Sequence, residues 1–234
     1  MKQIYAERRI GTTQSSSDSD SEDLSEAIII LGKGVSSFNA KYGCLTHCIA
    51  GIGKNGSWIR LYPLFAERVL PGIQFVEKFD IIKAEYRETK PEPTRPESRR
   101  IHPESVLKID HVKSKKEQIQ ILEKFTETGV FLHDDSWNGK KTLGLIEPRN
   151  AKFFLLNGTP KVRFLCGDSC PGHVCEVKEL EKTDQFGRVI SEEAANFEKH
   201  FEALSGKKLR FVMGTDGRHP HIWLIVSIHV LEVI

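Results

Sequence analysis

Leu45-Thr46-His47-Cys48-Ile49-Ala50-Gly51-Ile52, then Gly53-Lys54-Asn55-Gly56, then Ser57-Trp58-Ile59-Arg60-Leu61-Tyr62-Pro63-Leu64: two apolar runs flank an Asn-Gly turn. Asn-Gly accepts the positive φ that a tight β connection requires, so the stretch predicts a hairpin. Short apolar or alternating runs at 27–31, 79–87 and 106–112 predict three more strands, enough for a complete small sheet or barrel within residues 27–113. Pro91, Pro93 and Pro96 mark a loop that cannot donate ladder hydrogen bonds, so Arg95, Arg99 and Arg100 are expected on display rather than in a sheet.

Beyond this set, Ser114-Lys115-Lys116-Glu117 is a capping box, and Ile119, Leu122 and Phe125 follow at helical spacing before Gly129 closes the element. Residues 129–150 read as an irregular crossover. A second strand set is expected at 161–166 and 174–180, then a helix capped by Ser191 with Ala194, Phe197, Phe201 and Leu204 on one stripe, ended by Gly206. Strands at 209–214 and 222–234 complete a mainly β chain with one or two accessory helices. The division this predicts is a tail at 1–26, a first β unit at 27–113, a helix and crossover at 114–149, and a second β unit at 150–234.

Composition sets the class. The chain has 234 residues of which 39% are hydrophobic, enough to build a real core. Residues 11–26 are polar, acidic and without aromatics, which predicts a disordered acidic Ser-rich tail. No run of eighteen apolar residues is present and the N-terminus lacks the apolar region of a signal peptide, so the expectation is a cytoplasmic protein without a membrane partner.

The formal net charge of +2 conceals a segregation. Residues 27–116 hold sixteen basic and nine acidic side chains, and residues 140–163 hold six and one, while the remaining segments are net acidic. Two basic blocks in a near-neutral chain predict a one-sided positive surface of the kind that meets a phosphate backbone. The candidate nucleic-acid contacts are Trp58, Arg60, Tyr62, Arg95, Arg99, Arg100, Lys140, Lys141, Lys161 and Arg163. Trp58, Arg60 and Tyr62 alternate along one strand and share a face, a stacking platform if exposed and core filling if not.

Chemistry of another kind gathers at Cys166-Gly167-Asp168-Ser169-Cys170-Pro171-Gly172-His173-Val174-Cys175, which holds three of the five cysteines and a histidine. Thiolates and imidazole are the ligands of tetrahedral Zn²⁺, so Cys166, Cys170, His173 and Cys175 are candidate ligands and zinc a candidate cofactor. Cys44, His47 and Cys48 form a second group that can complete or replace the first. A Cys170–Cys175 disulfide and simple core filling stay open as alternatives.

Two stretches carry a family resemblance. Cys48-Ile49-Ala50-Gly51, Trp58-Ile59-Arg60-Leu61-Tyr62-Pro63, Phe79-Asp80-Ile81-Ile82 and Arg95-Pro96-Glu97-Ser98 resemble the N-terminal half of the dual OB-fold-containing domain of prokaryotic conflict-system proteins. Phe164 with Cys166, Cys170 with Gly172-His173, and Phe211-Val212-Met213-Gly214-Thr215 with His219-Pro220 are similar to the C-terminal half. Cys175 departs from that pattern. The resemblance implies two small OB-like β-barrels and a non-catalytic nucleic-acid-binding module, DNA or RNA, working beside an effector protein in defence. OB barrels offer a strand face on which bases stack and phosphates meet basic side chains.

Two other function classes compete. Asp216, Arg218, His219 and His221 gather near one turn, where a histidine beside a carboxylate can serve as a general base for hydrolysis. No nucleophile elbow, phosphate loop, zincin motif or paired-carboxylate signature accompanies them. A protein-interaction adaptor using the acidic tail is the other.

Overall fold

The structure, a computed structural model, describes residues 26–65, 76–87, 93–133, 141–180, 182–183, 189–190, 194–217, 219 and 221–232. The acidic tail up to residue 25, Lys140, Ser191 and Arg218 lie outside the described residues. The first half runs β1 (Ile28–Lys33), β2 (Ser37–Asn39), β3 (Cys44–Gly53), β4 (Trp58–Phe65), β5 (Asp80–Lys83), β6 (Ser98–Arg100), β7 (Leu107–His111) and α1 (Lys115–Phe125). The second runs β8 (Leu143–Ile146), β9 (Arg149–Leu156), β10 (Thr159–Leu165), β11 (His173–Val177), β12 (Lys182–Thr183), β13 (Val189–Ile190), α2 (Ala194–Leu204), β14 (Leu209–Thr215) and β15 (Trp223–Val230).

The chain is mainly β. Among the described residues the first sheet has the order β6-β4-β3-β1-β5-β7, with β2 added beside β3, and the second has the order β8-β14-β15-β11-β10-β9. Neither ladder closes on itself, so each half is an open sheet by its hydrogen bonds. The β3–β4 hairpin forms as its sequence dictates: Gly56 sits at φ +82, and the Asn55 side chain accepts from Ser57 N at 3.0 Å. α1 begins where the capping box put it, with Ser114 Oγ accepting from Glu117 N at 3.4 Å.

Two departures matter for the site. Ser98–Arg100 is not a displayed loop, because β6 pairs in parallel with β4, setting Arg60 beside Ser98 and Tyr62 beside Arg100. The stretch 129–150, expected as an irregular crossover, holds strand from residue 143 on. The strands there are β8 and β9, and β9 joins β10 through Asn157-Gly158, both at positive φ (51 and 76). β8 was hidden because Leu143-Gly144-Leu145-Ile146 is buried throughout and shows no alternation.

The core explains how the halves meet. One cluster lies within the first sheet and includes Ile28, Ile49, Leu61 and Ile82. Another lies within the second and includes Val162, Phe164, Phe211 and Ile225. The third joins them: Leu31, Ala50 and Ile52 from the first sheet pack with Leu143, Leu145 and Val212 from the second and Leu122 of α1. Polar bonds follow the same boundary. The His229 Nε2–H donates to the Leu31 carbonyl at 2.7 Å, and Lys78 pairs with Glu179 while donating to the Ile228 carbonyl at 3.2 Å. A histidine ring buried this deeply stays neutral, and burial, reinforced by Lys78, pushes His229 down to about 3.

Candidate functional site

The Trp58-Arg60-Tyr62 face is covered. Trp58 packs against the cluster that joins the sheets, while Tyr62, half-buried, accepts from Asn39 Nδ2 of β2 at 3.1 Å. Arg60 is only 6% exposed, and its guanidinium donates to the Thr142 carbonyl at 2.9 Å, the Thr142 hydroxyl at 3.2 Å and Ser98 Oγ at 3.4 Å. Glu97 completes the knot by accepting from Thr142 N and Oγ1, each at 2.7 Å. Arg60, at the centre of the expected stacking platform, is therefore part of a joint between sheets with Trp58 packed beside it, because a side chain that another layer covers loses contact with solvent.

The remaining basic candidates divide by exposure. Arg99 donates to the Pro96 carbonyl at 2.7 Å and the Ser98 carbonyl at 2.9 Å, which ties it to its own loop. The Arg95 guanidinium lies against Gly217. Lys141 pairs with Glu127 and sits 4.8 Å above the Phe131 ring. Arg100 is exposed. Lys161 pairs with Glu176 at 3.6 Å, and Arg163 is exposed on the same face of β10.

That face of the second sheet carries residues the sequence reading passed over. Register places Lys152 directly opposite Arg163, Phe154 opposite Lys161, and Leu156 opposite Thr159, with Val174 flanking Arg163 from β11. The other side of these strands, Phe153, Val162, Phe164 and Cys175, belongs to the core or packs against it. The outward side thus combines cations with exposed apolar surface: Leu156 is 47% exposed and Val174 51%. Asn157-Gly158 was the signal that could have revealed β9, since it is the same turn dipeptide as in the first hairpin. Lys152 and Arg163 have no ion-pair partner among the described residues, and like charges directly opposed across a ladder destabilise it.

A second constellation lies at the turn between β10 and β11. His133, Cys166, Cys170 and His173 each bring a ligand atom within 4.8 Å of all the others. His133 ends the 3-10 turn Gly129–Leu132, and its Nε2 lies 3.1 Å from Cys166 Sγ. The approach depends on Gly129, where a Cβ would fall 2.3 Å from Cys166 Cβ. Gly172, at φ +107, turns the chain so that its N–H donates to Cys170 Sγ at 3.3 Å. His173 stacks on Phe164 at 5.2 Å, and its Nε2 is buried without a hydrogen-bond partner. Burial, aided by Cys170, pushes the Cys166 thiol up to about 11, while burial and then His133 hold His173 below its usual value.

Cys175 is not in this group. It points into the core of the second sheet, 5% exposed, and burial pushes its thiol up to about 12, the state of a space-filling cysteine. His133 stands where Cys175 was expected. All five cysteines are free, so the Cys170–Cys175 disulfide is not formed. Cys44, His47 and Cys48 remain on β3 apart from the four-residue group, with His47 buried and pushed down to about 4 by desolvation and then by Lys33. In the 215–221 turn, Asp216 Oδ1 accepts from the His219 backbone N–H at 2.9 Å.

Comparison with known proteins adds the following. Residues 24–124 match the family model described as "Domain of unknown function (DUF8758)", a span that takes in β1 to β7 and nearly all of α1. No curated protein matches the chain. Among solved structures the chain is similar to the p204 HINb domain, at 13% identity over 89% of this chain and 99% of that one, with a TM-score of 0.36. It is also similar to the tetrameric p202 HIN2, at 12% identity over 92% and 100%, with a TM-score of 0.35. A murine DNA-binding protein bound to double-stranded DNA aligns at 9% identity over 89% and 99%, with a TM-score of 0.37. Among the described residues no helix is long and apolar enough to cross a membrane.

Proposed function

We propose that the chain is a nucleic-acid-binding module whose contact surface is the outward face of β9, β10 and β11. The observation that carries this reading is the Lys152–Arg163 pair, two uncompensated cations held opposite each other and bordered by Phe154, Leu156 and Val174. A polyanion relieves that repulsion, and exposed Leu156 and Val174 with half-buried Phe154 beside the cations suit unpaired bases, which stack without sequence preference. The preferred ligand is therefore single-stranded. In the setting that the conflict-system resemblance implies, such a module brings a neighbouring effector protein to its nucleic acid.

Fluorescence anisotropy with labelled single- and double-stranded oligonucleotides across a salt series tests this. The double variant Lys152→Ala, Arg163→Ala is expected to weaken binding and to make the salt slope shallower by about one to two units, since each lost phosphate contact releases roughly one counterion fewer. Binding unchanged by the double variant overturns the assignment. A second reading, a protein-interaction adaptor, is favoured by β7, where Leu107 is 54% exposed and Ile109 49% exposed on one side of the last strand of the first sheet. Absence of oligonucleotide binding at low salt, together with partner capture lost on Leu107→Lys, supports that reading instead.

A further inference from the structure

We propose that His133, Cys166, Cys170 and His173 hold one structural Zn²⁺ that fastens the turn after α1 to the β10–β11 turn. The inference is independent of nucleic-acid binding. Two thiolates and two imidazoles are a complete tetrahedral shell, and this soft N₂S₂ set selects zinc over hard cations. In such a shell the ligand atoms stand about 3.5 to 4 Å apart, so a group already within 4.8 Å closes on the ion by small side-chain adjustments.

The surroundings are those of a holding site rather than a chance encounter. His173 Nε2 is buried with no hydrogen-bond partner, a costly state that an ion bound to it would remove. The Gly172 N–H donates to Cys170 Sγ, the outer bond that orients a thiolate ligand. Gly129 lets the turn carrying His133 lie directly against Cys166, a contact any larger residue would prevent. With His133 coming from one segment and the other three from a single turn, the ligands have the two-segment arrangement of structural zinc sites. All four positions are filled by protein, which leaves no open position for catalysis and marks the ion as structural. Its effect is to close the chain between residues 133 and 166, a span that includes β8 and β9, and so to set the β9–β11 face relative to the rest of the second sheet.

Elemental analysis of the full chain, purified without added chelator, is expected to give about one zinc per molecule. Cobalt loaded in its place is expected to show the sulfur-to-cobalt charge transfer and strong visible bands of a tetrahedral N₂S₂ site. His133→Ala is the informative variant, because His133 is exposed and its loss spares the core. It should lower zinc affinity by more than the roughly 10- to 100-fold that outer-shell changes cause, with far-UV dichroism retained. Cys170→Ser should do the same. Cys175→Ser should keep the metal. Folded wild-type protein that takes up neither zinc nor cobalt, or zinc retained in His133→Ala but lost in Cys175→Ser, overturns the proposal.

Discussion

Arg60 and Thr142 are bonded across the boundary between the two sheets, Nη2 donating to the Thr142 carbonyl at 2.9 Å and Nη1 to its hydroxyl at 3.2 Å. The first residue belongs to β4 and the second immediately precedes β8. Their bond, with Glu97 accepting from Thr142, adds a polar tie beside the apolar cluster that joins the sheets.

Arg60→Ala should therefore cost about 3 kcal/mol of stability in urea unfolding, because it leaves buried acceptors without their charged donor. Oligonucleotide binding by the folded variant should be unchanged in salt slope. A stable variant with weakened binding would return Arg60 to the contact surface.

Lys152→Glu should do the opposite. Turning the like-charge pair with Arg163 into an attractive one should raise stability by about 0.2–1 kcal/mol while reducing affinity for oligonucleotides. Loss of both stability and affinity would mean that the residue packs rather than contacts.

Acid should loosen the joint. The folded-state values of His229 and His47 lie at about 3 and about 4, below the ordinary 6.5, so the unfolded chain binds protons first as the pH falls. Stability is full above about pH 6.5 and should decline below it, by up to about 1.4 kcal/mol per pH unit for each ring, until each folded value is reached. His229→Gln should flatten the melting temperature against pH between 6.5 and 4; an unchanged profile would remove His229 as the cause.

Gly129→Ala places a Cβ 2.3 Å from that of Cys166 and should cost about 1–3 kcal/mol, as overpacking does. Calorimetry at saturating zinc should show the loss persisting, since the turn itself is displaced.

What the sequence revealed follows from where each signal is stored. Asn55-Gly56 and Ser114-Glu117 are local devices, readable from four residues and formed as read. Asn157-Gly158 is equally local, but Phe153-Phe154-Leu155-Leu156 before it lacks the polar alternation that announces a strand, because Phe154 and Leu156 face outward while apolar. Arg60 could not be placed from its strand alone: alternation tells which residues share a side, and only the packing of the second sheet decides that this side is covered. His133 lies 33 residues from Cys166 along the chain, so its place in the Cys/His group is a product of the fold. Cys175 was misplaced for the converse reason. Two residues beyond His173 on β11 its side chain points inward, and the neighbouring core claims it.

The cluster that joins the sheets also limits how this chain can be recombined. The family match stops at residue 124, before β8 begins, yet Leu31, Ala50 and Ile52 rely on Leu143, Leu145 and Val212 for their cover. A fragment ending there would bare a sticky wall. On this scaffold the 24–124 segment needs an apolar layer in the place of Leu143, Leu145 and Val212 to keep those three side chains from water.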